Sequence, residues 1–233
     1  MREALAFLTP IGGAKAPSSK AFSWFPAAGL VIGAALGAVW WGAGRIWPAG
    51  VAAAIAVTAD LALTGMLHID GLVDSADGLL PHLPAERRLA VMSAPDIGAF
   101  GIAVAGAALL LRWSSFTAIR PSIVLVAGLW CLSRAAMAVI ALVLPYARSE
   151  GGLASAFLGG TGRGGALRPA LMGGGAVAVA IFLCGVGPAL AAAAAAAAVA
   201  WFGYRRLGGF TGDVLGAAGV VAETVGLLVR AAR

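Results

Sequence analysis

The stretch PSIVLVAGLWCLSRAAMAVIALVLPY, residues 121–146, is almost entirely apolar and contains a single charged residue, Arg134. An α-helix of about 20 apolar residues crosses the hydrocarbon core of a bilayer. This stretch is long enough, so it predicts a membrane-spanning helix. An ionisable side chain inside such a helix is costly and is usually paired or functional. Arg134 therefore needs an acidic partner, and Asp60 and Glu223 are the two candidates.

The rest of the chain has the same character. Hydrophobic residues make up 61% of the 233 positions and charged residues only 11%. A soluble domain carries about 25% charged residues, so this chain cannot cover a water-facing surface. We therefore predict an all-α fold, a polytopic integral membrane bundle of about six or seven transmembrane helices, in a single domain covering residues 1–233. The candidate spans are 22–44, 48–68, 97–113, 121–146, 169–187, 188–204 and 214–230.

One part of this division has two readings. Residues 169–204 could form a single kinked helix, but Gly185, Gly187 and Pro188 favour a hairpin of two helices. Residues 1–20 are predicted to be an interfacial segment, with REALAFLT as a short helix on the membrane surface.

The distribution of basic residues predicts the topology. With seven spans and the N-terminus inside, the cytoplasmic segments hold Arg2, Lys15, Lys20, Arg87, Arg88, Arg148, Arg163, Arg168, Arg205 and Arg206. The outer segments hold Arg45, Arg112, Arg120, Arg230 and Arg233. Ten against five favours this orientation, since cytoplasmic loops carry the excess of Lys and Arg. It places the acidic motif loop 68–96 and the polar loops 146–168 and 205–213 together on the cytoplasmic face.

The sequence HIDGLVDSADG, residues 68–78, carries three aspartates. On a helix, Asp74 and Asp77 lie about 40° and about −20° from Asp70, so the three share one face. No Lys or Arg lies between residues 68 and 86, and three unpaired anions repel one another. A divalent cation would neutralise them, and hard oxygen ligands with incomplete coordination suit Mg²⁺. The alternative is a solvated loop that ends a helix. His68 would point away from the acids, towards packing or a boundary hydrogen bond.

Two further polar stretches offer partners for this site. Asp96 is either a fourth site carboxylate or an acid near a helix N-terminus, where the helix dipole favours it. Arg148 and Glu150 stand beside a Gly-Gly pair, where the arginine could clamp a phosphate or simply lie at the membrane interface.

The stretch RRLGGFTGDVLG, residues 205–216, combines two arginines with a glycine-rich turn. Glycine-rich backbone at a helix N-terminus is an anion site, which Arg205 and Arg206 would reinforce. Thr211 and Asp213 could instead be no more than a helix cap.

Together these stretches resemble the cobalamin synthase family. HIDGLVDSADG is similar to its signature His-Leu/Met-Asp-Gly-x-x-Asp-x-x-Asp-Gly, and FLTPIG, SRAAMAVIALVLPYARSEGGLA and LGGFTGDVLGAA resemble further blocks in order and spacing. The resemblance covers essentially the whole chain. Two positions depart from the pattern. Ala94 occupies the place of a family acid, with Asp96 two residues later, and Val220 occupies a frequent glutamate position, with Glu223 one turn later.

The resemblance implies a reaction in which adenosylcobinamide-GDP and α-ribazole, or its 5′-phosphate, give adenosylcobalamin, or its 5′-phosphate, and GMP. It implies Mg²⁺ held by Asp70, Asp74, Asp77 and Asp213, with Asp77 or Asp96 as general base. The implied substrate-binding residues are His68, Arg134, Arg148, Glu150, Arg205, Arg206 and Thr211. We expect an enzyme of the bacterial plasma membrane that is surrounded by lipid and has its active face in the cytoplasm. The sequence also allows a homo-oligomer.

Two other classes compete with this reading. A CDP-alcohol phosphotransferase would need Ala-Arg where Val73 and Asp74 stand. A cation-coupled transporter using Asp60, Arg134 and Glu223 would need paired broken helices in two repeats, and we find no internal repeat. Nucleic-acid binding is not indicated by the net charge of +6, because the basic residues form no stripe with interleaved aromatics.

Overall fold

The computed structural model describes residues 1–10, 21–148 and 167–232, with the side chains of residues 167–169 excepted. In these ranges the chain is helical and has no β-strand, which confirms the predicted all-α fold. The helices are α1 (Arg2–Leu8), α2 (Phe25–Ala43), α3 (Ala49–Leu63), α4 (Leu67–Leu79), α5 (Ala85–Val91), α6 (Ala99–Ala118), α7 (Ile123–Val143), α8 (Leu167–Cys184), α9 (Val186–Leu207) and α10 (Gly212–Ala231).

Five helices of the described chain are long and apolar enough to cross a membrane: α2 with its preceding turn, α6, α7, α9 and α10. The bent pair of α3 and α4 would be a sixth, and α8 contributes a shorter apolar helix. The stretch between 169 and 204 contains two helices, which break at Gly185. The polytopic bundle is therefore confirmed.

The second predicted span, residues 48–68, is wrong as a single straight helix. Helix α3 ends at Leu63, and the chain turns by 88° into α4. The Thr64 hydroxyl donates to the Asp60 carbonyl at 2.8 Å, and Gly65 and Met66 then adopt left-handed φ values of 56° and 61°. A right-handed helix cannot continue through two such residues. As a result, residues 68–79, predicted as part of a polar loop, form a helix that runs across the bundle.

Helix α7 is the centre of the bundle and contacts α2, α8, α9 and α10. Helix α2 packs closely against it, and a Cβ added at Gly33 would lie 2.7 Å from the Val126 carbonyl oxygen. The two helix backbones therefore touch, as is typical of small-residue packing between membrane helices. Most of α7 is buried by these contacts, Arg134 included.

A network of four buried charges ties α3, α6, α7 and α10 together. Arg112 of α6 pairs with both Asp60 and Glu223, and Glu223 also pairs with Arg134. The Trp130 indole donates to the second Asp60 oxygen at 3.0 Å. Two positive and two negative groups balance, which is the arrangement that buried charges require. Glu223 is therefore the acidic partner that Arg134 was expected to have.

The position of Arg112 corrects the topology count. It was counted with the outer segments because it stands one residue before the predicted end of the third span at residue 113. Helix α6 instead continues to Ala118, and Arg112 is 4% exposed. Without Arg112 the outer segments of the predicted topology hold four basic residues against ten, and the orientation itself stays a prediction.

Candidate active site

Helices α4 and α10 touch at their first turns. A Cβ added at Gly71 would lie 2.8 Å from the Asp213 carbonyl oxygen, and one at Gly216 would lie 3.2 Å from the His68 carbonyl oxygen. Side chains larger than hydrogen would force the helices apart at both points. This contact brings Asp70 and Asp74 near Asp213. The charged form of Asp74 is disfavoured there first by partial burial and then by the charges of Asp213 and Asp70.

The segment that joins α9 to α10 pairs with the segment that follows α7. Helix α9 ends at Leu207, and the capping residue Gly208 has a left-handed φ of 74°. The Phe210 amide then donates to the Pro145 carbonyl at 2.9 Å, and the Ala147 amide donates to the Phe210 carbonyl at 2.9 Å. A Cβ at Gly209 would lie 2.3 Å from the Pro145 oxygen, so only glycine fits. This pairing places Arg148 beside Asp213.

The Gly209→Ala variant is expected to lose thermal stability and activity together, because its methyl group would separate the two paired segments. Melting temperature in detergent and the rate of product formation are the two readouts. Gly212→Ala is the matched control for melting, since a Cβ there would meet nothing within 4 Å. Equal melting temperatures for the two variants would contradict the role given to the pairing.

Arg148 is the cation of the site. Its Nη2 donates to Asp213 at 2.8 Å and to the Met92 carbonyl at 3.4 Å. Its Nε is buried and has no partner among the described residues. A guanidinium with an unused N–H can donate to a phosphate oxygen, and the phosphate clamp expected of this arginine stays a prediction. Glu150, its predicted companion, lies outside the described residues.

A cavity of about 240 Å³ opens between α1, α4, α7 and α10. Its lining includes the charged side chains of Asp70, Arg148 and Asp213 and the apolar side chains of Phe7, Leu67, Met137 and Leu215. Tyr146 also lines it, and burial raises the pKa of its phenol, which therefore stays an O–H group near neutral pH. Of the three α4 aspartates, Asp70 lines this cavity. The cavity lining thus contains two carboxylates, one guanidinium and an apolar wall.

His68 lies in this cavity, although it was expected to point away from the acids. The cavity surrounds the first turn of α4, so residues on opposite sides of that turn reach the same space. The imidazole is 3% exposed, and neither ring nitrogen has a partner within the described ranges. The sequence alone could not show this, because the cavity is lined by residues of α1, α4, α7 and α10 that are distant from one another in the chain.

Asp77 and Asp96 are not part of the cavity. Both oxygens of Asp77 accept backbone amides at the start of α6, from Gly98 at 2.8 Å and Gly101 at 2.9 Å. Asp77 thus satisfies two of the free N–H groups of that helix end. Asp96 is exposed just before α6. Asp96 therefore lies near a helix N-terminus, as one of its two interpretations predicted, but the backbone amides of that helix end donate to Asp77.

The remaining predicted residues lie elsewhere. The guanidinium of Arg205 stacks 5.6 Å from the Trp201 ring centre, and that of Arg206 stacks 5.0 Å from the Phe202 ring centre, both outside the cavity lining. Thr211 accepts the Val214 amide at 3.2 Å and therefore caps α10, as its simpler reading predicted. Arg134 belongs to the buried charge network.

The donor set can be tested against the metal that the sequence predicts. Among the residues that the structure describes, no three Asp, Glu, His or Cys side chains converge as a cage for one ion. Mg²⁺ rarely uses such a cage, because it keeps several waters and takes one or two carboxylates together with substrate phosphates. The neighbouring Asp70, Asp74 and Asp213 carboxylates fit that pattern of hard oxygen donors with open positions.

Known proteins match this chain over nearly its full length. The family model for Cobalamin-5-phosphate synthase matches residues 1–231. The adenosylcobinamide-GDP ribazoletransferase of Chlorobium phaeovibrioides is 34% identical, over 88% of this chain and 84% of the relative. That of Roseiflexus sp. is 38% identical, over 97% and 86%, and that of Ralstonia nicotianae is 38% identical, over 91% and 84%. No solved structure matches the chain. On this sequence match, and with the bundle and acidic helix described above, the chain belongs to the Cobalamin-5-phosphate synthase family.

Proposed function

We propose that this protein transfers the cobinamide phosphate of adenosylcobinamide-GDP to α-ribazole or its 5′-phosphate and releases GMP. The relatives carry the name of this reaction. The observation that carries the proposal to this chain is the cavity in which Asp70 and Asp213 face Arg148 beside an apolar wall. Phosphoryl transfer asks a protein mainly to position its substrates and to balance charge, and this cavity offers both.

The ribose hydroxyl oxygen forms a bond to the phosphorus nearer the cobinamide, the bond from that phosphorus to the GMP oxygen breaks, and GMP leaves. Arg148 binds a pyrophosphate oxygen through its unused Nε donor. Asp70 accepts the hydroxyl proton, because it is the α4 carboxylate that lines the cavity. Asp77, considered for this role from the sequence, already accepts two backbone amides.

Asp74 and Asp213, with help from Asp70, would hold Mg²⁺. When bound, the cation neutralises charge on the pyrophosphate oxygens. A cation there is favoured, because the charged form of Asp74 is disfavoured first by burial and then by the charges of Asp213 and Asp70, which Arg148 offsets in part.

We further propose that this cavity faces the cytoplasm from the bacterial plasma membrane. The proposal rests on the ten-to-four distribution of basic residues. It also places the cavity on the side where nucleotide substrates are made.

The test is incubation of the purified protein in lipid nanodiscs with adenosylcobinamide-GDP, α-ribazole 5′-phosphate and Mg²⁺. We expect GMP and a cobalamin phosphate to form in equal amounts, and a chelator to stop the reaction until Mg²⁺ is restored. Folded protein that releases no GMP would refute the proposed function. Full turnover in excess chelator would refute the metal while leaving the transfer intact.

A further inference from the structure

We propose that the apolar side chains lining the cavity bind the heteroaromatic base of the ribazole substrate, and that His68 donates a hydrogen bond to the free ring nitrogen of that base. This inference rests on the proposed function and names the part of the substrate that these side chains recognise. It makes His68 a residue that determines specificity for the acceptor substrate.

The first support is the state of the His68 side chain. The imidazole is 3% exposed, and both Nδ1 and Nε2 are buried without a partner in the described part of the chain. Buried polar groups in native proteins are nearly always hydrogen-bonded, so an unpaired pair of ring nitrogens that lines a cavity indicates a ligand. A neutral imidazole has one N–H donor and one acceptor nitrogen to offer.

The second support is the mixed lining of the cavity. Phe7, Leu67, Met137 and Leu215 are apolar, Asp70 and Arg148 are charged, and all of them line the same space as His68. A ribazole nucleotide has the same two kinds of surface, because a flat apolar ring is joined to a polar ribose phosphate. A ring placed among Phe7 and Met137 gains aromatic and sulfur contacts, and the charged side chains remain for the polar part of the substrate.

The third support is what the cavity excludes. A cavity of about 240 Å³ is smaller than the 300–1,000 Å³ typical of sites for drug-sized ligands, so it holds a ring system and not a corrinoid. Guanine would leave several donors and acceptors against the apolar wall, and unpaired polar groups are costly to bury. An azole that is ribosylated on one nitrogen has a single acceptor nitrogen left, which one donor satisfies.

The experiment measures binding without transfer. Equilibrium dialysis compares α-ribazole 5′-phosphate with an isostere in which CH replaces the free ring nitrogen, in the absence of adenosylcobinamide-GDP. We expect the wild-type protein to bind the parent about 5- to 100-fold more tightly than the isostere. His68→Leu should bind both as weakly as the wild type binds the isostere. His82→Leu, a change of the exposed second histidine, should keep the full preference.

Two results would overturn the inference: equal binding of the two compounds by the wild type, or an undiminished preference in His68→Leu. Because the first comparison uses unaltered protein, it stands even if His68→Leu fails to fold. His68→Asn keeps an N–H donor and should retain part of the preference. A protein that prefers the parent over the isostere but releases no GMP would refute the proposed function and leave this inference intact. A protein that releases GMP but binds the two compounds equally would refute this inference and leave the proposed function intact.

Discussion

Replacing Glu223 with glutamine is expected to lower the free energy of unfolding by about 3–5 kcal/mol, because it removes one charge from a buried, balanced network. One Glu223 oxygen accepts Arg112, and the other accepts both Arg134 and the Ser133 hydroxyl. The neutral amide would leave two buried guanidinium groups with Asp60 as their remaining acid. Thermal melting of the purified protein in detergent measures the loss.

The control for this variant is the double change Arg134→Gln with Glu223→Gln. It removes one charge of each sign, so Asp60 and Arg112 remain as a balanced pair. We expect the double variant to melt at a higher temperature than Glu223→Gln alone, since residues of one network do not act additively. If the single variant melted like the wild type, the network would carry no stability.

The Asp74→Asn variant is expected to reduce the rate of GMP release by about 10²–10³-fold, a loss typical of removing one electrostatic contact to a reacting group. An amide carries no charge with which to hold Mg²⁺. The same change also removes repulsion, because the charges of Asp213 and Asp70 both act on Asp74. We therefore expect an inactive protein whose melting temperature equals or exceeds that of the wild type.

Two further variants make this result specific. Glu86→Gln changes an exposed acid on α5 and should leave GMP release unaffected. Asp96→Asn decides whether the exposed acid before α6 takes part, and its position outside the cavity predicts nearly full activity. Activity in Asp74→Asn close to that of Glu86→Gln would mean that Asp74 holds no catalytic cation.

The spans could be predicted from the sequence because apolar runs of sufficient length have one stable solution in a bilayer. Residues 121–146 illustrate this, since α7 lies within them. The break at Thr64 could not be predicted, because the apolar pattern continues to residue 67 while the backbone turns. Gly65, which follows Thr64, was the one hint of a break in the sequence, but a single glycine does not by itself end a helix. Arg112 was misplaced for the same reason, as composition alone does not fix where a helix ends.

The residues of the site were predicted from the sequence, but the contacts between them were not. The aspartates of α4 and the Thr-Gly-Asp turn were recognised as polar stretches, and the family resemblance supplied a reaction that geometry alone would not. Contacts between distant residues decided the rest. Arg148 meets Asp213 across 65 positions, and Asp77 meets Gly101 across 24. Such contacts follow from packing, which removed Asp77 from the cavity and brought His68 into it.

The buried charge network also sets an order of events during synthesis. Asp60 and Arg112 can pair as soon as α6 has entered the membrane, but Arg134 must wait for Glu223, which follows it by 89 positions. At about 5–20 residues per second, that wait lasts roughly 4–18 s. An arginine at the centre of a membrane helix costs about 2.5–3.5 kcal/mol on insertion scales. The nascent bundle therefore carries an unmatched positive charge in its central helix until α10 is made, and a ribosome that stops before α10 leaves Arg134 without its acidic partner.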